Sequence, residues 1–132
     1  MNTLTLKKSL ETFLKTKADR VYQKKAPETK TFPYVVWNLI SSDSGYSEAE
    51  DFILEIDIWD DKRDTTTIDT LVGIIDGDGD IKAPSGLHRK NIFIESILSA
   101  KIYRQNRYEI HDEDETLERR QLRYKMKTYL LG

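Results

Sequence analysis

The alternation of apolar and polar positions divides the chain into elements. Leu6, Leu10, Phe13 and Leu14 fall at i, i+4, i+7 and i+8, which stacks them on one stripe of a helix over residues 4–17. Lys7, Lys8, Glu11, Lys15 and Lys17 fill the remaining surface, and Thr3 or Thr5 is suited to cap the start. A short extended piece follows at Val21-Tyr22, then a polar loop from Lys24 to Thr31. Residues 32–40 (FPYVVWNLI) are rich in β-branched and aromatic side chains with apolar groups on both faces, which predicts a central strand. Beyond the polar loop Ser41–Asp51, Phe52, Leu54, Ile56 and Ile58 alternate with Glu55 and Asp57, the period of a half-buried strand.

A second helix is expected after Asp60–Asp64. Ile68, Leu71, Val72 and Ile75 make its apolar stripe, and Thr66 with Asp69 resembles a capping box. Gly77-Asp78-Gly79 ends it, and a loop with Pro84 and Gly86 runs on to about Asn91. Residues 92–104 fit two periods. Ile94, Ile97, Leu98 and Ile102 suit a helix, whereas Ile92, Ile94, Leu98, Ala100 and Ile102 suit a strand. The strand is preferred because a hairpin partner follows. Tyr108-Glu109-Ile110 leads into the acidic turn 111–115 (HDEDE), and then Leu122, Tyr124, Met126, Thr128 and Leu130 alternate with Gln121, Arg123, Lys125, Lys127 and Tyr129. That strand has one core face and one basic face. The predicted fold class is α+β: a single domain over 1–132, an antiparallel sheet with two helices packed on one face, in the order α-β-β-β-α-β-β.

Composition narrows the chemistry. The chain has no cysteine, which excludes disulfide staples, thiolate zinc sites and a cysteine nucleophile, and a reducing cytosol is the expected place of synthesis. The longest stretch without a charge, Thr31–Ser42, is too short to cross a bilayer, so no membrane is expected, and the N-terminus has no signal-peptide pattern. Net charge is −2, yet unevenly spread. Residues 1–31 hold eight Lys/Arg against three Asp/Glu, residues 32–80 two against thirteen, and residues 81–132 eleven against seven. Such asymmetry bears on association rather than on fold.

Candidate reactive groups each fail on pattern. Asp76-Gly77-Asp78-Gly79-Asp80 places carboxylates at alternate positions, as a calcium loop does, but Ile81 and Leu87 stand where that loop needs glycine and glutamate. A solvated helix exit is the expectation there. Glu55 and Asp57 share a strand face with Asp60 and Asp61 nearby, which invites a metal-dependent nuclease, yet the lysine that usually completes the strand-borne pattern is missing. His88 and His111 lack metal-like spacing and read as surface residues. No catalytic residue, metal or cofactor is expected. The alternative function is a nucleic-acid-binding or metal-dependent nuclease domain, using the stripe Arg119, Arg123, Lys125 and Lys127 or the Glu55 and Asp57 carboxylates. Glu115 and Glu118 crowd that stripe, so a solvated face, or one that meets acidic residues such as Glu55 and Asp57 of a neighbouring subunit, is preferred.

Three segments carry a resemblance: Tyr34-Val35-Val36-Trp37, the strand 53–59 (ILEIDIW) running into the second helix, and the closing hairpin with 112–115 (DEDE) and 119–124 (RRQLRY). In this order and length the chain resembles the tail-terminator (tail-completion, or tail-to-head joining) proteins of long-tailed bacteriophages and prophages. The resemblance implies a virion protein made in the bacterial cytoplasm. It implies a homo-hexameric ring that caps the tail tube and meets the head connector, with the tube protein and a head-completion protein as partners. It carries no catalytic residue and no specific nucleic-acid recognition. Subunit and partner contacts are then expected at Glu55, Asp57, Arg119, Arg123, Lys125, Lys127, Tyr46 and Glu48, with loops Ser41–Asp51 and Gly77–Asn91 ordered by partners.

Overall fold

The computed structural model describes residues 3–41, 49–62, 64–111 and 117–131. In chain order the elements are α1 (Leu4–Lys17), β1 (Val21–Gln23), β2 (Tyr34–Ser41), β3 (Ala49–Asp60), α2 (Thr66–Asp76), β4 (Asn91–Ile94), β5 (Leu98–His111) and β6 (Glu118–Leu130). The strands form one sheet in the order β1-β2-β3-β6-β5-β4. All neighbouring pairs are antiparallel except β1 with β2, so the sheet is mixed rather than purely antiparallel.

Period and parity explain the packing. In the β2–β3 register Val35 faces Ile58, Trp37 faces Ile56 and Leu39 faces Leu54. In the β3–β6 register Phe52, Leu54 and Ile56 face Met126, Tyr124 and Leu122. These residues share one sheet face, and the α1 stripe (Leu6, Leu10, Leu14) and the α2 stripe (Ile68, Val72, Ile75) close over it, all fully buried. Side chains at 0% exposure from both helices and four strands form one continuous core, as burial of apolar area requires.

Two local expectations change. Residues 92–104 are not one strand. Glu95-Ser96-Ile97 forms a turn, with Ser96 at φ 63° and Ile97 N–H donating to Ile94 O at 3.0 Å, and β4 folds back on β5. The register pairs Ile92 with Ala100 and Ile94 with Leu98, so even positions point inward on both arms. The alternation therefore passes through the turn unbroken. At the start of α2, Thr66 lies inside the helix, and the capping role falls to Asp64. Its Oδ1 accepts from Thr66 N–H at 2.9 Å and from the Thr66 hydroxyl at 2.6 Å, which holds the Asp64 carboxyl below its ordinary range. Thr3 precedes α1 but makes no side-chain cap bond.

Candidate functional site

The sheet face turned away from the helices holds the charged residues that the alternation of β3 and β6 singled out. Register places Glu55 opposite Arg123, Asp57 opposite Gln121 and Trp59 opposite Arg119. Arg123 Nη2 donates to Glu55 Oε1 at 2.5 Å. Arg119 donates to Asp57 Oδ1 from Nε at 3.0 Å and from Nη2 at 2.8 Å, and Gln121 Nε2 adds a third donor at 3.1 Å. The acidic and basic rows expected to meet across a subunit boundary thus meet inside one chain. The hydrogen bond to Glu55, and then its charge, raise the Arg123 pKa. For the nuclease reading the consequence is that one oxygen of each carboxylate is engaged, Glu55 Oε1 by Arg123 and Asp57 Oδ1 by Arg119 and Gln121.

The row continues into an aromatic end. The Arg119 guanidinium lies 5.0 Å from the Trp59 ring centroid, and Trp59 stacks on Tyr34 at 6.4 Å with 13° between planes. Burial raises the Tyr34 pKa, and Arg119 partly opposes it. Lys24, Lys25 and Lys30 border a shallow concavity of about 340 Å³ floored by Tyr34 and Trp59. At the opposite end Lys125 and Lys127 stay exposed. The structure also brings Lys101 of β5 across from Lys127, and Tyr103 across from Lys125. Sequence reading missed both, because residues 99–103 were assigned to a strand without a partner register. Tyr46 and Glu48 lie outside the described residues, as does the turn 112–115.

On the helix side, three expectations are corrected. Asp76 is not part of a solvated helix exit. It is 5% exposed, its Oδ1 accepts from Tyr124 Oη at 2.7 Å, and its Oδ2 is paired with Arg104. Its side chain therefore turns away from any calcium loop. The hint was present in the sequence, since Asp76 follows Val72 by four residues on the apolar stripe while Tyr124 occupies a core position whose hydroxyl needs a partner. His88 is not a plain surface residue: its Nδ1 accepts from Arg104 N–H at 3.0 Å. The segment after α2 is pinned without a partner. Leu87 N–H donates to Ile75 O at 2.8 Å and His88 N–H to Asp76 O at 3.0 Å. Asp78 Oδ1 accepts from the Ser85 and Asp80 amides, each at 3.0 Å, and these bonds lower its pKa.

A second buried charge was also unforeseen. Arg120 points to the helix side of β6 and is 3% exposed. It donates to Asp69 at 3.1 Å and to Glu118 at 3.1 Å. Burial works against its charge, but these hydrogen bonds outweigh it and the pKa is raised. Asp69, expected as a capping residue, is thus the tether between α2 and β6. Among the described residues, no three His, Cys, Asp or Glu side chains gather as metal ligands would. No helix among them is long and apolar enough to cross a membrane.

No protein-family profile matches the chain, and no curated protein does. The fold is similar to that of a chain from the virion of a native gene transfer agent particle, with a TM-score of 0.64 at 11% sequence identity, over 93% of this chain and 95% of that one. At that identity the likeness is one of fold.

Proposed function

We propose that the chain is a structural subunit of a phage-type virion, a ring-forming protein that caps the tail tube and joins it to the head connector. The observation that carries the reading is the near end-to-end likeness in fold to a chain of a virion particle. The helix–strand order and the acidic and basic segments support the finer role. A ring needs two different patches that meet head to tail, and opposite potentials help to set their register. The arginine–carboxylate pairs of β3 and β6 keep the open sheet face in one shape. Tyr46 and Glu48, with the exposed Lys125 and Lys127, supply contacts to other molecules. The work is mechanical and assembling, with no reacting group, and its place is the virion at the head–tail junction.

The test is assembly with the cognate tube protein. Electron microscopy should show tubes closed at one end by a six-fold ring, with elongation stopped. Tubes that grow to the same length with and without the chain, and carry no ring, would remove the reading.

A further inference from the structure

The helix-free face gathers its uncommitted cations at one end, and they lie beside exposed rings. Lys101 stands directly opposite Lys127 in the β5–β6 register, Tyr103 opposite Lys125, and Ser99 opposite Tyr129. Like charges directly across a sheet repel each other. No described carboxylate lies within ion-pair distance of Lys101, Lys125 or Lys127. Asp51 stands directly opposite Lys127 across the β3–β6 pair, and the carboxylates further along the row, Glu55 and Asp57, are held by Arg123 and Arg119. Asp64, Asp78 and Asp80 flank α2, which packs on the other face, while the exposed Glu95 sits in the β4–β5 turn. The overall charge of −2 therefore hides a local excess of positive charge.

The rings give that excess a chemical identity. Phe93 is 63% exposed, Tyr103 43% and Tyr129 44%. The Lys101 ammonium lies 6.0 Å from the Tyr103 centroid, and Lys127 lies 6.0 Å from that of Tyr129. Neighbouring strands are ~4.8 Å apart and same-face residues along a strand ~6.7 Å apart, so Lys101, Lys125 and Lys127 alternate with Tyr103 and Tyr129 on one sheet face. An acidic protein segment would neutralise the lysines and leave the exposed rings without a role. A nucleic-acid strand engages both: phosphates meet ammonium groups and unpaired bases stack on rings. We propose that this end of the face binds single-stranded nucleic acid without sequence preference, through Lys101, Lys125 and Lys127 with Tyr103, Tyr129 and Phe93.

The inference shares Lys125 and Lys127 with the contacts proposed above, but nucleic-acid binding and tube capping are separate readouts, so either can fail alone. The experiment is fluorescence anisotropy of a labelled oligothymidylate with the full chain across salt concentrations. Three phosphate contacts on a single strand predict a slope of about −2 for log affinity against log salt. Substituting Lys101→Ala, Lys125→Ala and Lys127→Ala together should flatten that slope. Tyr103→Ala with Tyr129→Ala should weaken binding about thirtyfold or more at an unchanged slope. All five positions are exposed, and thermal unfolding of each variant checks that the fold is kept. Three results would overturn the proposal: binding by the triple lysine variant equal to the parent, duplex bound as tightly as the single strand, or polyglutamate displacing the strand at equal charge. The last would mark the surface as one for acidic proteins.

Discussion

Tyr124 donates its hydroxyl to Asp76 across 2.7 Å, joining the middle of β6 to the last residue of α2. Arg104 of β5 completes the group from the other side of the carboxylate. Three elements far apart in the chain are thereby fixed to one buried acid. Burial, and then the Asp76 charge, push the tyrosine pKa far up, so its hydroxyl remains a donor at any working pH.

Removing the donor or the acid should therefore be unequal. Tyr124→Phe is expected to cost about 1.5 kcal/mol, since Asp76 keeps Arg104. Asp76→Ala leaves both a tyrosine hydroxyl and a guanidinium without their partner and is expected to cost about 3 kcal/mol. Asp76→Asn should fall between them, because its amide oxygen still accepts from Tyr124. Urea midpoints at neutral pH give the order, and equal losses for all three would refute it.

Two glycines near that group should respond with opposite signs. A Cβ on Gly73 meets nothing within 4 Å, so Gly73→Ala in the body of α2 should stabilise by about 0.5–1 kcal/mol. A Cβ on Gly86 would lie 2.5 Å from the Asp76 carbonyl oxygen and from Gly77 N. Those contacts are backbone and cannot swing away. Gly86→Ala should cost about 2–3 kcal/mol, measurable in the same urea series.

Asp60 supplies the pH dependence. Its side chain is fully buried, Oδ1 accepts from Asp61 N–H at 2.9 Å, and Oδ2 has no described partner. Burial raises its pKa above the ordinary carboxylate value. Between the unfolded and folded pKa values the native state holds the proton more tightly, so stability falls as pH rises through that window. Asp60→Asn removes the charged form and should stabilise by about 1 kcal/mol at pH 7. The gain should vanish below about pH 3, where the carboxyl is protonated in both states. Denaturant unfolding of both proteins over that range decides it, and a gain independent of pH would exclude ionisation as the cause.

The pair on the open face is partly wetted, with the Arg123 side chain 39% exposed and Glu55 19%. Solvent screening limits its worth despite the short contact. A double-mutant cycle of Glu55→Gln and Arg123→Gln should give a small favourable coupling at low salt. High salt should shrink it. A coupling that ignores salt would argue against an ionic origin.

Much of this architecture was legible because period reports which way a side chain points. The stripe Leu6, Leu10 and Leu14 and the alternation from Phe52 to Ile58 state their own burial, and all are buried as read. Period does not report which strand lies next to which. Glu55 and Arg123 each read as surface charges, and only the β3–β6 register reveals that they face one another. The β4–β5 turn escaped for a related reason, since its register preserves even-inward parity. Asp76 and Arg120 escaped because a charged residue at a core position reads as an interruption of the pattern. Their partners, Tyr124 and Asp69, come from 48 and 51 positions away.

The strand order has a temporal meaning. β6 follows the other five described strands along the chain, yet it lies in the middle of the sheet, between β3 and β5. Until residues 118–130 have left the ribosome, β3 presents a bare hydrogen-bonding edge, and Leu54 and Ile56 lack the neighbours that shield them. A nascent chain that has reached β5 is therefore expected to expose that edge until β6 pairs with β3 and β5 at once.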